Sequence, residues 1–400
     1  MNIKKILLVI SFIILIIALS IALYVVFFKE PIPEIAITEY DPGAIPGIGE
    51  GEAIIMEEIV EKEELPWQEY FGDKISPIAN GGLTSVNKIT DTEIRGFNGS
   101  QYYDADEQQF YRINDQGVLE LLSDKKFYGV ENVSWSNKGE KAILEYPDGS
   151  NILYNFNTGE QITLPPELES FDFNVAGNKL TAAWMGGNED NNWLVSFNED
   201  GSGMFLVEEL GDQLHNTDIG YSPDNQIIAM HRRHTGLQQQ EIIPIGLHHE
   251  NFRSFTVEGS GFTSKWSDRG SSLMYSVYNE ENDYNPNLSI TRGNLNELGD
   301  LKISLNIATW PEKCSFSGEN TIFCAVPQGL PRGAGIYPEI ASEYPDNFYR
   351  IDLDTGMKTL IASPIGQEGG YSAHNLFVSD DSGTLYFTDN DGNLQSILLE

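Results

Sequence analysis

Short apolar stretches alternate with polar turns along most of this chain, and long helical periodicity is absent. The pattern is clearest between residues 132 and 164, where the turns Pro147-Asp148-Gly149-Ser150 and Asn157-Thr158-Gly159 separate apolar stretches. Glycine accepts the positive φ that tight hairpin turns require, so such turns between alternating stretches indicate β-hairpins. The pattern therefore predicts an all-β fold of short antiparallel strands.

One phrase recurs along the chain: an aromatic or apolar strand end, a serine, a polar turn and a second apolar strand. We place the strand ends of seven units at Phe97, Trp135, Phe173, Tyr221, Trp266, Phe316 and Val378. Units of roughly 40–50 residues with four short strands each are typical of propeller blades. We therefore expect a seven-bladed β-propeller of four-stranded antiparallel blades over residues 81–400, with six or eight blades as the alternatives.

The last blade offers only three strands, over residues 375–379, 384–388 and 394–398, where a blade needs four. Residues 83–90 precede the expected inner strand of blade one, residues 93–97, and resemble the outer strands of other blades. We expect residues 83–90 to pair as the fourth strand of blade seven, which would join the two chain ends and cover an exposed edge. The alternative is that they end a linker.

The best copy of the repeat is Tyr221-Ser222-Pro223-Asp224 before an apolar strand, and a later unit ends in Asp352-Leu353-Asp354-Thr355-Gly356. These features look like the TolB-type, WD40-like propeller repeat, which also occurs beside the peptidase of the dipeptidyl-peptidase IV and prolyl oligopeptidase families. Phe173-Asn174-Val175-Ala176-Gly177 departs most from that pattern. The resemblance implies binding and scaffolding, and the chain leaves no room outside the propeller for a peptidase domain.

Residues 6–28 are apolar and carry no charge, with only Ser11 and Ser20 interrupting. A helix of that length spans a bilayer, and Lys4 and Lys5 favour a cytoplasmic N-terminus. We expect a cytoplasmic N-terminus over residues 1–5, a transmembrane signal-anchor helix over 6–28, a flexible acidic Pro/Gly linker over 29–80 and an extracytoplasmic propeller. The alternative is a signal peptide cleaved near Ser20.

The chain has 24 basic and 60 acidic residues, which gives a net charge of −36. Because phosphate binding needs a basic surface, we exclude nucleic acid as a partner. Calcium is the cation that such acidity would attract. Asp389-Asn390-Asp391-Gly392-Asn393 resembles the start of a calcium loop, but no glutamate stands at its twelfth position, so we expect a hairpin turn there and no cofactor.

Patterns that carry chemistry are weak in this sequence. Gly370-Tyr371-Ser372-Ala373-His374 comes nearest to Gly-x-Ser-x-Gly but lacks the second glycine. The histidine cluster is His231, His234, His248 and His249, without a His-Glu-x-x-His motif. The positions expected at inner-strand starts, facing a central channel, are Asn132, Asp172, Asp218, Ser264 and Lys313. This mixed set contains no histidine, so we expect neither catalytic nor metal-binding residues.

Two features of the sixth unit carry specific predictions. Residues 327–345 are long for a propeller loop, and Arg332, Tyr337 and Tyr344 make this stretch a candidate partner-binding loop, with a merely variable insertion as the alternative. Pairing about Glu319 places Cys314 opposite Cys324. Opposed residues of antiparallel strands lie close enough for a disulfide, which an oxidising compartment would permit; two buried free thiols are the alternative.

The sequence therefore favours a membrane-anchored, extracytoplasmic propeller that binds a protein or polysaccharide partner in the cell envelope and is not an enzyme. The first alternative is a hydrolase or lyase with its site at the mouth of the central channel. The second is the sensory domain of an envelope complex. No residue pattern in the chain names the ligand.

Overall fold

The fold is seen in a computed structural model, which describes residues 75–79, 83–88, 99–114, 119–188, 191–236, 238–250, 252–293, 297–363, 371–379, 383–390, 392 and 394–399. The expected transmembrane helix over 6–28, with the cytoplasmic end and nearly all of the linker, lies outside these residues. Within them, no helix has both the length and the apolar character needed to cross a membrane.

The described residues form seven four-stranded antiparallel sheets, which confirms the all-β, seven-bladed propeller. In chain order the strands are β1 (Ile75–Ala79), β2 (Leu83–Lys88), β3 (Gly99–Asp104), β4 (Gln109–Asn114), β5 (Leu119–Leu121), β6 (Asn132–Trp135), β7 (Lys141–Glu145), β8 (Asn151–Asn155), β9 (Gln161–Leu164), β10 (Leu168–Phe173), β11 (Lys179–Trp184), β12 (Trp193–Asn198), β13 (Phe205–Glu209), β14 (Thr217–Ile219), β15 (Ile227–Gly236), β16 (Gln239–Gly246), β17 (Phe255–Glu258), β18 (Ser260–Trp266), β19 (Ser272–Tyr278), β20 (Pro286–Arg292), β21 (Leu301–Ser304), β22 (Cys314–Phe316), β23 (Thr321–Pro327), β24 (Asp346–Asp352), β25 (Lys358–Ala362), β26 (His374–Val378), β27 (Thr384–Thr388) and β28 (Leu394–Leu398). Short 3-10 helices lie at Gly211–Asn216, Glu280–Asn282, Pro311–Lys313 and Pro338–Glu343.

Blades one to six take four consecutive strands each from β2 to β25, and blade seven consists of β26, β27, β28 and β1. The first strand of each blade from β2 to β26 is the inner one. Inner strands of neighbouring blades contact each other from blade one to blade four, and from blade six through blade seven to blade one. Successive strands of a blade then step outward to its perimeter.

An N-terminal strand does complete blade seven, but the predicted strand was wrong. Residues 75–79 pair with β28, Ile75 lying opposite Ile397, whereas Leu83–Lys88 is the inner strand of blade one and pairs with β3. The expected inner strand at residues 93–97 lies outside the described residues. Blade seven therefore includes residues 75–79, which the expected boundaries assigned to the linker.

The recurring serine closes the turn between the first two strands of a blade. In blade four the Ser222 hydroxyl oxygen accepts the Ile227 N–H at 2.9 Å, and in blade seven Ser379 accepts the Thr384 N–H at 2.9 Å. In the degenerate blade three, Asn174 Oδ1 accepts the Lys179 N–H at 3.0 Å instead. The repeat therefore requires, at the serine position, a short polar side chain whose oxygen accepts the backbone N–H five residues later.

The hydrophobic core is divided among the interfaces between blades. Each of seven clusters of buried side chains draws on two neighbouring blades, and together they cover every interface of the ring. The cluster between blades seven and one contains Tyr102, Phe377, Tyr386 and Leu394. The ring therefore closes by side-chain packing as well as by the β1–β28 ladder.

Candidate functional site

Connections between the second and third strands of all blades open on one face of the ring, because successive strands run antiparallel. In blade two this connection is a tight turn over residues 146–150. In blade four the strands β15 and β16 are longer, so the end of their hairpin extends farther, and in blades five and six the connection itself is longer, over residues 279–285 and 328–345. We call these three segments, with the β27–β28 turn of blade seven, the rim.

The blade-six segment of the rim is docked on that of blade five through its backbone. The N–H groups of Gly333 and Gly335 donate to the carbonyl oxygens of Asp283 and Tyr284, both at 2.8 Å. A Cβ atom at position 335 would lie 2.6 Å from the Tyr278 Cβ and 2.7 Å from the Tyr284 oxygen. This close approach therefore requires glycine at position 335.

Side-chain hydrogen bonds continue the rim on both sides. Towards blade four, Gln238 Nε2 donates to Glu280 Oε2 at 3.4 Å. Towards blade seven, Asn390 Nδ2 donates to the Ser342 carbonyl oxygen at 2.6 Å. The rim is therefore hydrogen-bonded from segment to segment over blades four to seven.

A small apolar cluster fixes the underside of the blade-six segment. Trp310, Ala334 and Ala341 are buried together, with Leu330 and Ile340 packed against them. The short helix Pro338–Glu343 supplies Ile340 and Ala341 to this cluster. Residues 328–345 therefore have a packed base, unlike an insertion that makes no contacts with the rest of the fold.

A buried ion pair lies beneath the same segment. Lys313 Nζ lies 2.7 Å from Asp346 Oδ2, and the two side chains are only 2% and 0% exposed. Lys313 Nζ also donates to Ser372 Oγ at 3.2 Å, and the Ala373 N–H donates to Asp346 Oδ2 at 2.6 Å. Burial raises the pKa of the Asp346 carboxyl, although Lys313 and the Ala373 N–H lower it. The network connects the start of blade six with the strand that follows the insertion and with the connection to blade seven.

The outward side of the blade-six segment presents apolar surface. Tyr337 is 63% exposed and its neighbour Ile336 is 44% exposed. Arg332 is also exposed, but its guanidinium lies over the Tyr284 ring at 5.6 Å and its Nε lies 3.9 Å from Asp283 Oδ1. Tyr344 is half-buried. Of the three residues of the candidate partner-binding loop, Tyr337 is therefore the one that offers a large free side chain.

The central channel holds a cavity of about 540 Å³. Its walls come mainly from three inner strands, through residues 263–266 of β18, Ser315 and Phe316 of β22, and residues 375–377 of β26. Lys265 Nζ donates to the Cys314 carbonyl oxygen at 2.7 Å, so this cation ties two inner strands together. The wall combines aromatic, hydroxyl and amide side chains with the carboxylates of Asp268 and Glu312.

Four of the five expected channel positions are engaged in structural contacts. Asn132 Nδ2 donates to Glu145 Oε1 at 2.8 Å, Asp218 Oδ1 lies 3.3 Å from Arg232 Nη2, and Lys313 is in the buried ion pair. Asp172 Oδ2 accepts the Tyr221 N–H from the next blade at 2.6 Å, and burial raises its pKa to about 6. Ser264 lines the channel cavity.

The weak catalytic and metal patterns are placed as follows. His231 and His234 lie on β15, and His248 and His249 follow β16. Ser372 is buried, and Asp389, Asn390 and Gly392 lie between β27 and β28. In the described part of the chain, no group of three His, Cys, Asp or Glu side chains could hold a metal ion.

Cys314 lies opposite Cys324 in the first hairpin of blade six, in the register expected from the sequence. The structure contains a disulfide between them, with an S–S distance of 2.13 Å and Cα atoms 4.1 Å apart. Both residues are fully buried in the cluster between blades five and six. The bond cross-links β22, whose start carries Lys313, to β23, which leads into the insertion.

The sequence analysis missed two residues: Ile336, which lies in the rim, and Asp346, which forms the ion pair beneath it. Ile336 precedes the singled-out Tyr337, and its exposure depends on how the insertion folds. Asp346 follows Pro345 and gives no local sign that it will meet Lys313. The 19-residue length of the loop was the only available signal, since residues 327–345 exceed an ordinary hairpin connection.

Comparison with solved structures shows propellers of the same fold. The β-propeller domain of Cps50 (Swd1) from Myceliophteria thermophila is 12% identical, with a TM-score of 0.53 over 82% of this chain and 100% of that domain. Oligogalacturonate lyase from Vibrio parahaemolyticus is 10% identical, with a TM-score of 0.52 over 82% of this chain and 93% of the lyase. TolB from Acinetobacter baumannii is 12% identical, with a TM-score of 0.45 over 70% of this chain and 67% of TolB.

No protein-family model and no curated protein sequence matches the chain. At identities of 10–12% the structural matches show the fold alone. They include a lyase, whose activity is a property of that protein. The described part of the chain therefore has the fold of a WD40-like seven-bladed β-propeller.

Proposed function

We propose that this chain is a membrane-anchored, extracytoplasmic scaffold that binds a protein partner through the rim. The observation that carries the proposal is the exposed pair Ile336–Tyr337 on a segment with a packed and hydrogen-bonded base. A large aromatic side chain held on a supported loop gains contact area on binding without the entropic cost of ordering that loop. Such residues are typical anchors of protein interfaces.

The anchoring part of the proposal is supported by the sequence. Residues 6–28 are long and apolar enough to span a bilayer, and Lys4 and Lys5 favour a cytoplasmic N-terminus. The propeller would then lie outside the cytoplasm, where a disulfide between Cys314 and Cys324 is stable. Protease added to intact spheroplasts should remove the propeller; complete protection in sealed cells would reject this topology.

A binding role is favoured over catalysis because four of the five polar groups expected at the channel are engaged in structural contacts. Asp172 accepts a backbone N–H of the next blade, and Lys313 is neutralised by Asp346. The candidate nucleophile Ser372 is buried and donates to the Ala341 carbonyl oxygen at 3.3 Å. These contacts hold blades and the rim in place, which is the task of a scaffold.

Site-specific photo-crosslinking tests the binding surface. A benzophenone amino acid replaces Tyr337 in the full-length chain, and the matched control carries it at Met357, which is equally exposed at 63% on the opposite face. We expect a discrete protein adduct from position 337 in intact cells and none of the same mass from position 357. Adducts that are identical at both positions, or none at 337, would reject the rim as the partner surface. A glycan adduct at 337 would reject a protein partner.

A further inference from the structure

The wall of the central channel carries two carboxylates that are not used in structural contacts. Asp268, in the turn after β18, and Glu312, in the short helix before β22, are exposed and line the cavity of about 540 Å³. Among the described residues, neither side chain forms an ion pair or a hydrogen bond. In the corresponding turn of blade four, by contrast, the Asp224 carboxylate accepts the Ser222 hydroxyl at 2.5 Å and the Gln226 N–H at 3.2 Å. The two channel carboxylates are therefore available to a ligand.

These two carboxylates lie at opposite ends of the channel. All inner strands run in the same direction, because each blade has four antiparallel strands and the next inner strand starts on the face where the outer strand ends. Glu312 stands four residues before the strand end Phe316, and Asp268 stands two residues after the equivalent strand end Trp266. At about 3.3 Å per residue of extended chain, the two positions are at most about 20 Å apart along the channel.

The wall between the two carboxylates is partly aromatic. Phe316 and Phe377 contribute to it and are buried, whereas the Trp266 side chain is half-buried. Trp135, at the equivalent position of blade two, stacks on Phe156 with ring centroids 5.3 Å apart. Trp266 has no stacked ring among the described residues and lines the cavity instead. The face of an indole ring attracts cations, so this wall adds to the attraction of the carboxylates.

The other charged side chain of the wall leaves the carboxylates uncompensated. Lys265 Nζ donates to the Cys314 carbonyl oxygen at 2.7 Å and forms no ion pair with Asp268 or Glu312. The wall thus has two carboxylates and one ammonium group, in a chain with a net charge of −36. A cleft lined mainly by one sign of charge concentrates ions of the opposite sign. A neutral ligand would leave both carboxylates unpaired, so the charges favour a cation.

We propose that the central channel is a binding site for a linear polyamine, with one terminal ammonium group at Asp268 and the other at Glu312. The group at Asp268 would also meet the Trp266 ring. The methylene segments would pass the apolar wall at Phe377. The Ser264 hydroxyl lines the cavity without a hydrogen bond among the described residues, and it would accept an N–H from the middle of the ligand.

This site is separate from the Ile336–Tyr337 surface, and the proposal would stand if that surface bound nothing. The two carboxylates specify an elongated ligand, because a compact cation could reach only one of them at a time. The apolar wall between them specifies methylene segments in place of a hydrated inorganic ion.

Titration of the purified full-length chain with spermidine, followed by calorimetry and by tryptophan emission, tests the proposal. We expect saturable binding at about 0.15 M salt, where attraction between distant surface charges is largely screened, together with a change in emission. Trp266→Phe should remove the emission change. Trp135→Phe is the matched control and should keep it, because Trp135 packs in the interface between blades one and two.

Charge variants locate the two ends of the ligand. Asp268→Asn and Glu312→Gln should each weaken spermidine binding about fivefold. Glu209→Gln removes an exposed carboxylate from the outer strand β13 and should bind spermidine like the unaltered chain. Triethylene glycol, a neutral chain, should not bind.

Three results would overturn the proposal. They are the absence of saturable spermidine binding, unchanged affinity in either channel variant, and equal weakening by Glu209→Gln, which would reduce the binding to the general acidity of the chain. Circular dichroism and the unfolding midpoint establish that each variant is folded.

Discussion

Replacing Lys313 by methionine would test how strongly the buried ion pair supports the structure beneath the rim. Methionine keeps the length of the aliphatic chain and removes the charge, so Asp346 Oδ2 loses the donor at 2.7 Å and keeps only the Ala373 N–H. Asp346 Oδ1 is already buried without a hydrogen-bond partner in the described structure. Breaking a buried pair by removing one member typically costs about 3–5 kcal/mol.

The size of this effect follows from the burial of both groups. Side chains that are 2% and 0% exposed are not screened by solvent, so the unpaired Asp346 carboxylate must either stay charged in the interior or take up a proton. Lys313→Met with Asp346→Asn removes both charges and keeps an acceptor for the Ala373 N–H. We expect the double variant to lie within about 1–2 kcal/mol of the unaltered protein, because the penalty belongs to the unpaired charge.

Urea unfolding followed by tryptophan fluorescence and circular dichroism measures these differences at constant m-value. The pH dependence adds a second criterion. Burial raises the pKa of Asp346 above its unfolded value, so the native state binds the proton more readily and stability falls as pH rises through the native pKa. Without Lys313 the native pKa of Asp346 should rise further, so the fall in stability should extend to higher pH. A Lys313→Met variant within 1 kcal/mol of the unaltered protein, or a double variant as unstable as the single one, would refute the reasoning.

Three further predictions concern closure, covalent linkage and pH. Deleting Ile75–Ala79 should lower the unfolding midpoint and expose the amides of Leu394–Leu398 to exchange, and an unchanged midpoint would exclude β1 as the closing strand. Thiol counting on denatured protein purified without reductant should find neither Cys314 nor Cys324 free, and reduction should cost roughly 2–3 kcal/mol; two free thiols would exclude the bond. Because burial raises the pKa of Asp172 to about 6 from the usual value near 4, its contribution to stability should be lost as pH rises from about 4 to 6. Asp172→Asn should flatten the stability profile across that window, and an unaltered profile would contradict the assignment.

Much of the blade structure could be predicted because its causes are local. The turn after Tyr221 forms because Ser222 accepts the Ile227 N–H within five residues, and such chemistry is visible in a single phrase of sequence. The same holds for Cys314 opposite Cys324, whose register follows from one short hairpin. The count of seven blades then followed from repetition.

The candidate site was predicted only in part. The length of residues 327–345 singled out this loop, and Tyr337 is exposed on it; that the loop binds a partner stays a prediction. Arg332 and Tyr344 were singled out on the same grounds, yet one contacts the Tyr284 ring and the other is half-buried. Exposure is decided by what the folded loop packs against, and residue type alone does not carry that information.

The sequence by itself determined the local alternation of strands and turns, the positions of most blades and the register of the disulfide hairpin. Tertiary structure decided which N-terminal strand closes the ring, because Ile75–Ala79 and Leu83–Lys88 are both competent to pair and only the whole ring selects between them. It also decided that Lys313 forms an ion pair with Asp346 and that β15 extends beyond its pairing with β14. The ion pair depends on two residues that are distant in sequence and meet only in the folded ring. The uncovered part of β15 depends on the shortness of β14. Neither cause leaves a periodic pattern in the chain.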